Sequence, residues 1–162
     1  MKEKNDLRLY NVMFPVWMLV WWPSALWLLL IPINYGIDAL VLHGSLPGEL
    51  DRRAFRRRHA WKICLAGFGS DFLGSALLFA VYALAPSQQL TDDIAYSPFH
   101  SVGALGVTLA AIALAGAAIF LLDRWILRRA GLDAPTAARA ARNLALLTAP
   151  YLFSFPSGLL YR

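Results

Sequence analysis

Long apolar runs alternate with short polar segments along this chain. Four runs come close to the roughly 20 residues that a helix needs to cross a hydrocarbon core about 30 Å thick. They cover residues 23–46, 63–85, 102–122 and 144–160. The pattern predicts an all-α, polytopic integral membrane protein with four transmembrane helices in a single membrane domain, residues 1–162.

The first apolar region begins before residue 23 and is too long for one helix. A single helix from Leu9 to Leu46 would reach about 57 Å, nearly twice the thickness of the hydrocarbon core. Pro15, Pro23 and Pro32 offer breaks, because a proline removes a backbone donor and clashes with the preceding turn.

Two arrangements of the Trp-rich segment 7–22 fit this pattern. We favour an interfacial helix followed by one span, since four aromatic residues recur at helical spacing and suit the headgroup level. These are Tyr10, Phe14, Trp17 and Trp21. The alternative is a re-entrant hairpin that turns within the membrane near Trp22 and Pro23. The first arrangement puts the N-terminus outside and the second puts it inside.

Composition narrows the class of protein further. Apolar residues make up 59% of the chain and charged residues 15%, with a mean hydropathy of +0.52. Soluble domains average about 45–50% apolar and 25% charged, and a small domain needs a polar exterior. A soluble enzyme, a disordered protein and a disulfide-stapled module are therefore disfavoured. Arginine outnumbers lysine twelve to three, which we interpret as the mark of a GC-rich bacterial source.

The basic residues are distributed very unevenly between the loops. Segments 47–62 and 123–143 together hold eleven Lys and Arg residues, whereas segment 86–101 holds none and carries Asp92 and Asp93. Because basic loops stay in the cytoplasm, we expect the first two segments to be cytoplasmic and the third to lie outside. The expected location is the bacterial cytoplasmic membrane.

Two carboxylates fall at membrane depth. Asp38 lies late in the first span and Asp71 in the cytoplasmic half of the second. A charge at this depth is costly and usually faces protein or water, and two nearby carboxylates would share a proton or hold a cation. The predicted ion or proton site comprises these acids and their polar neighbours at helical spacing: Asp38, Asp71, Asn34, Ser70 and Ser75. The alternative is that each acid pairs with an arginine or a backbone donor near the interface.

Small residues at helical spacing indicate close helix–helix contacts. Those expected to pack are Gly67, Gly74, Gly106, Ala110, Ala113 and Ala117. The residues of the third span pack either within the bundle or along the seam of a homo-oligomer.

A polybasic cluster precedes the second span. It consists of Arg52, Arg53, Arg56, Arg57, Arg58 and Lys62. Juxtamembrane clusters of this kind attract anionic lipid, at about 1 kcal/mol per charge, and an acidic protein partner is the alternative. We expect no nucleic-acid binding, because no groove-fitting or base-stacking module accompanies the charges.

Two classes of function lead at this stage, and a membrane enzyme with scattered catalytic residues is a further alternative. The leading hypothesis is an oligomeric channel or transporter with a cation or proton site at the intramembrane carboxylates. The alternative is a non-catalytic accessory subunit or assembly factor of a larger membrane complex. Catalytic motifs such as G-x-S-x-G, H-E-x-x-H and the phosphate loop do not occur. Cys64 is the only cysteine and the three histidines are scattered, so no metal or other cofactor is expected.

Overall fold

The computed structural model describes residues 15–21, 25 and 27–161, and this part of the chain is helical without a strand. Five α-helices are joined by short loops and 3-10 turns. They are α1 (Trp27–Ser45), α2 (Arg52–Leu84), α3 (Gln88–Tyr96), α4 (Val102–Arg129) and α5 (Ala134–Thr148). Short 3-10 helices cover Val16–Val20, Pro98–His100, Tyr151–Ser154 and Ser157–Tyr161. The expectations for Tyr10, Phe14, Trp22 and Pro23 lie outside the described residues.

Three helices in the described part of the chain, α1, α2 and α4, are long and apolar enough to cross a membrane. The prediction of four such helices is therefore wrong. Helix α5 stops at Thr148, and the rest of the predicted fourth span is two 3-10 turns separated by non-helical backbone. Pro150 and Pro156 account for the break, because a proline lacks the amide donor and disfavours helical geometry in the residue before it.

The helices enclose two apolar clusters, one at each end of the bundle. At the end that carries the arginines, here called the basic end, Leu42, Ile63 and Leu127 pack with Ala140 and Leu144 of α5. At the opposite end, here called the α3 end, the core includes Leu78, Ile94, Ala111 and Phe153. The segment after α5 reaches this second cluster, and the Ser157 hydroxyl accepts a hydrogen bond from the amide of Val16 at 2.9 Å.

The predicted basic loops are largely helical. Helix α2 begins at Arg52, where the Asp51 carboxylate caps it by accepting from the amides of Arg53 and Ala54. Helix α4 continues through Arg129. A capping aspartate and a run of good helix formers explain why these segments extend the spanning helices rather than forming loops.

Two exposed tryptophans mark one level at the basic end. Trp61 on α2 is 52% exposed and Trp125 on α4 is 55% exposed. Each ring lies beside a cation, Lys62 and Arg129 respectively. Such rings suit a membrane–water interface. In both α2 and α4, about 35 Å of helix lies between the tryptophan and the helix terminus at the α3 end.

The described aromatic residues of the N-terminal segment pack against α2. Trp17 is buried in the α3-end cluster and its indole donates to the carbonyl of Ile94 at 3.1 Å. The ring of Trp21 stacks edge-on against Phe72, and the indole of Trp27 donates to the carbonyl of Leu19 at 2.8 Å. Trp17 is therefore a core residue rather than part of an exposed aromatic surface.

Candidate functional site

A cavity of about 580 Å³ lies between α1, α2 and the broken segment that follows α5. The broken segment forms one wall because the chain leaves helical geometry at Ala149. The lining includes Phe99 and Pro156, which belong to the α3 end, and Asp38 and Cys64, which lie towards the basic end. The cavity therefore extends along much of the bundle.

Asp38 on α1 lines this cavity and is only 5% exposed. The thiol of Cys64 and the hydroxyl of Thr148 are within hydrogen-bonding reach of its carboxylate. The Thr148 hydroxyl also donates to the carbonyl of Leu144 at 2.9 Å, and its single proton serves one acceptor at a time. An added Cβ at Gly67 would lie 3.8 Å from Asp38 Oδ2, so a small residue on α2 lets α1 bring this acid close.

Asp71 lines the same cavity from α2, one helical turn after Gly67. Its Oδ1 atom is buried and has no hydrogen-bond partner among the described residues. It is close enough to Asp38 for the two charges to interact. About 15 Å of helix separates it from Trp61, which is half the thickness of a 30 Å hydrocarbon core.

The polar neighbours predicted for these acids divide into two groups. Asn34 lines the cavity one turn before Asp38. Ser70 and Ser75 are buried but are not among the residues lining the cavity, and their hydroxyls donate to backbone carbonyls of their own helix, Ala66 and Phe72. Within the described part of the chain, neither acid forms a salt bridge with a lysine or arginine.

A third acid, Asp123, escaped the sequence analysis. It lies on α4, is 1% exposed, and neither carboxylate oxygen has a partner among the described residues. It is close enough to Asp38 for their charges to interact. Its spacing from Ile119 and Leu127, which are both buried, is the signal that could have placed it on the inner face of a longer helix.

The small residues predicted to pack behave differently from one another. Gly74 lies in tight contact with α4, whereas the four predicted α4 positions face outward. These exposed residues, here called the α4 stripe, are Gly106, Ala110, Ala113 and Ala117. The inner face of α4 carries other small residues instead, among them Ala104, Ala111 and Ala115.

The polybasic cluster covers the first turns of α2. Arg52 is half-buried and donates through Nε to the carbonyl of Pro47 at 3.2 Å. Arg56 is also half-buried, and the other members are exposed, namely Arg53, Arg57, Arg58 and Lys62. The exposed charges remain available to a lipid surface or a partner.

Chemically, the cavity is an apolar chamber with a few acidic and amide oxygens. The described residues contain no group of three or more His, Cys, Asp or Glu side chains arranged to hold a metal ion. Carboxylates in such a chamber can take up a proton or balance a cation. Comparison of the chain with protein-family models, curated proteins and solved structures gives no match.

Proposed function

We propose that this protein is a small membrane transporter or channel for a cation or proton, with Asp38 and Asp71 as its binding groups. The observation that carries the proposal is that acids from two different helices line one cavity in an otherwise apolar bundle. Intramembrane carboxylates without a basic partner are costly to retain and typically mark an ion or proton pathway.

The proposed path follows the cavity and then the third acid. The ion enters from the α3 end, meets Asp71 near the membrane centre and passes to Asp38. Asp123 on α4 is close enough to Asp38 for their charges to interact and lies two residues from Trp125, so we assign it to the exit from the cavity towards the basic end. By the charge distribution, the basic end is cytoplasmic in a bacterial inner membrane, where the polybasic cluster contacts anionic lipid.

Reconstitution in liposomes tests the proposal. We expect the pure protein to carry protons or a monovalent cation down an imposed gradient, and the Asp38→Asn and Asp71→Asn variants to lose at least nine-tenths of that flux. Asp92→Asn is the matched control, since Asp92 is exposed on α3. Wild-type flux in both cavity variants, with intact assembly, would sink the proposal.

The α4 stripe favours a helical partner, and this keeps the accessory-subunit function as a second candidate. Exposed small residues at this spacing let a second helix approach closely in a membrane. We expect the Gly106→Leu/Ala110→Leu double variant to lose its partner, while the bundle keeps its fold because both positions face outward.

The mass of the protein in nanodiscs before and after this change distinguishes the two candidates. A homo-oligomer that falls to a monomer supports the transporter, and a stoichiometric second protein that dissociates supports the accessory subunit. Gly69→Leu on α2 is the control, because Gly69 is exposed with open space around it in the described structure. If the double variant had the same mass as wild type, the α4 stripe would not be part of an interface.

A further inference from the structure

The cavity is far larger than a proton or an inorganic cation requires. Sites for small organic molecules occupy about 300–1,000 Å³ and are lined mainly by apolar and aromatic side chains with a few placed polar groups. At about 580 Å³ this cavity falls within that range. Its volume therefore points to an organic ligand.

The lining is mainly apolar, with polar groups on α1 and α2 and further hydroxyls in and after α5, namely Thr148, Tyr151 and Ser154. Aromatic side chains are prominent in the wall, namely Trp27, Phe68, Phe99, Tyr151, Phe153 and Phe155. The polar groups that face the cavity from α1 and α2 include Asn34, Asp38 and Asp71. An inorganic ion would lose its water shell here with few oxygen ligands in return, whereas a ligand with its own apolar body would gain contacts with the wall.

The charged side chains among the described lining residues are all acidic. Among the described lining residues there is no lysine, arginine or histidine to neutralise Asp38 and Asp71 or to hold an anionic group. Aromatic faces add to the attraction, since they stabilise ammonium groups within about 6 Å of the ring centre. An anion or a zwitterion would lack a counter-charge for its negative group.

We propose that the cavity binds a hydrophobic organic cation, an amine or a quaternary onium ion, with Asp71 and Asp38 as its counter-charges. This inference rests on the proposed function and specifies the class of ligand that the transporter takes. The aromatic wall holds the apolar body, and Asn34 supplies a further polar contact one turn from Asp38.

Binding of tetraphenylphosphonium to the full chain in nanodiscs tests the inference by calorimetry. This probe carries a permanent charge, and triphenylphosphine oxide offers similar rings without net charge. We expect saturable binding of the cation, binding of the neutral probe at least tenfold weaker, and at least a tenfold loss of cation affinity in Asp71→Asn. The Asp92→Asn control should retain binding.

A larger side chain at Gly67 tests whether the probe binds inside the cavity, which the proposed function alone does not require. An added methyl at Gly67 makes ordinary contact with Asp38, but a leucine side chain would extend into the cavity. We expect Gly67→Leu to abolish binding of the onium probe and Gly67→Ala to keep it, with the same size-exclusion profile for both.

Four outcomes are distinguishable. Equal affinity for the charged and neutral probes, unaffected by Asp71→Asn, would mean that apolar contacts alone hold the probes, and the inference would fail. Affinity for the onium probe that survives Gly67→Leu would also overturn it. Proton or cation flux that depends on Asp71 without onium binding would leave the proposed function standing alone. The absence of both flux and binding would overturn the two together.

Discussion

Replacing Gly74 with valine is expected to prevent stable assembly of the bundle. A Cβ at this position would lie 2.8 Å from the carbonyl oxygen of Ala111, and 3.0 Å from both Ala115 Cβ and Phe153 Cε2. The nearest of these atoms is backbone on α4, so a side-chain rotation cannot relieve the contact. Overpacking in a close-packed core costs about 1–3 kcal/mol for small insertions, and a branched side chain here requires α2 and α4 to move apart.

The matched control is Gly69→Val, five residues earlier on the same helix, where an added Cβ meets open space within the described structure. The alanine pair sharpens the comparison, because replacing glycine with alanine within a helix gains about 1 kcal/mol in helix propensity. Gly69→Ala should raise the thermal midpoint slightly and Gly74→Ala should lower it. Detergent size-exclusion profiles and thermal midpoints measure both pairs, and a midpoint for Gly74→Val equal to that of wild type would show that the contact is not tight.

The sequence was sufficient to locate the two long spans and to single out two of the acids that the helices carry, Asp38 on α1 and Asp71 on α2. Continuous apolar runs locate α2 and α4, because a helix of that composition would be unstable if it were exposed to water. The cost of a charge at membrane depth makes Asp38 and Asp71 conspicuous in the sequence alone. That they line one cavity depends on a tertiary contact, the approach of Asp38 to Gly67, which no spacing along a single helix can specify.

The sequence predictions failed where a segment is apolar but not continuously helical, or is polar but continues a helix. Residues 144–160 are apolar enough for a span, but Pro150 and Pro156 end the helix and leave a broken wall for the cavity. Asp123 was assigned to the basic loop 123–143, although α4 runs two turns further and buries it. Small residues permit close packing on either face of a helix. The composition of the α4 stripe therefore could not show whether this face of α4 is buried or exposed.

Asp123 provides a test that separates binding from passage through the membrane. The carboxylate is fully buried with no partner for either oxygen in the described structure, between the apolar residues Ile119 and Leu127 on the same helix face. A buried carboxyl group without hydrogen-bond partners opposes folding, because its desolvation is not compensated, and a leucine at this position removes that cost. We therefore expect Asp123→Leu to raise the thermal midpoint of the protein.

Under the proposed function, we expect the same change to reduce flux and to leave binding of the onium probe intact. Asp123 does not line the cavity but interacts electrostatically with Asp38, so Asp123→Leu and Asp123→Asn should bind the onium probe as wild type does while flux falls at least tenfold. Asp71→Asn, by contrast, should lose binding and flux together. Binding and flux measured on one proteoliposome preparation, with Asp92→Asn as the control, decide the matter. Wild-type flux in both Asp123 variants would place the ion's exit elsewhere, and a lower midpoint for Asp123→Leu would show that the acid stabilises the fold.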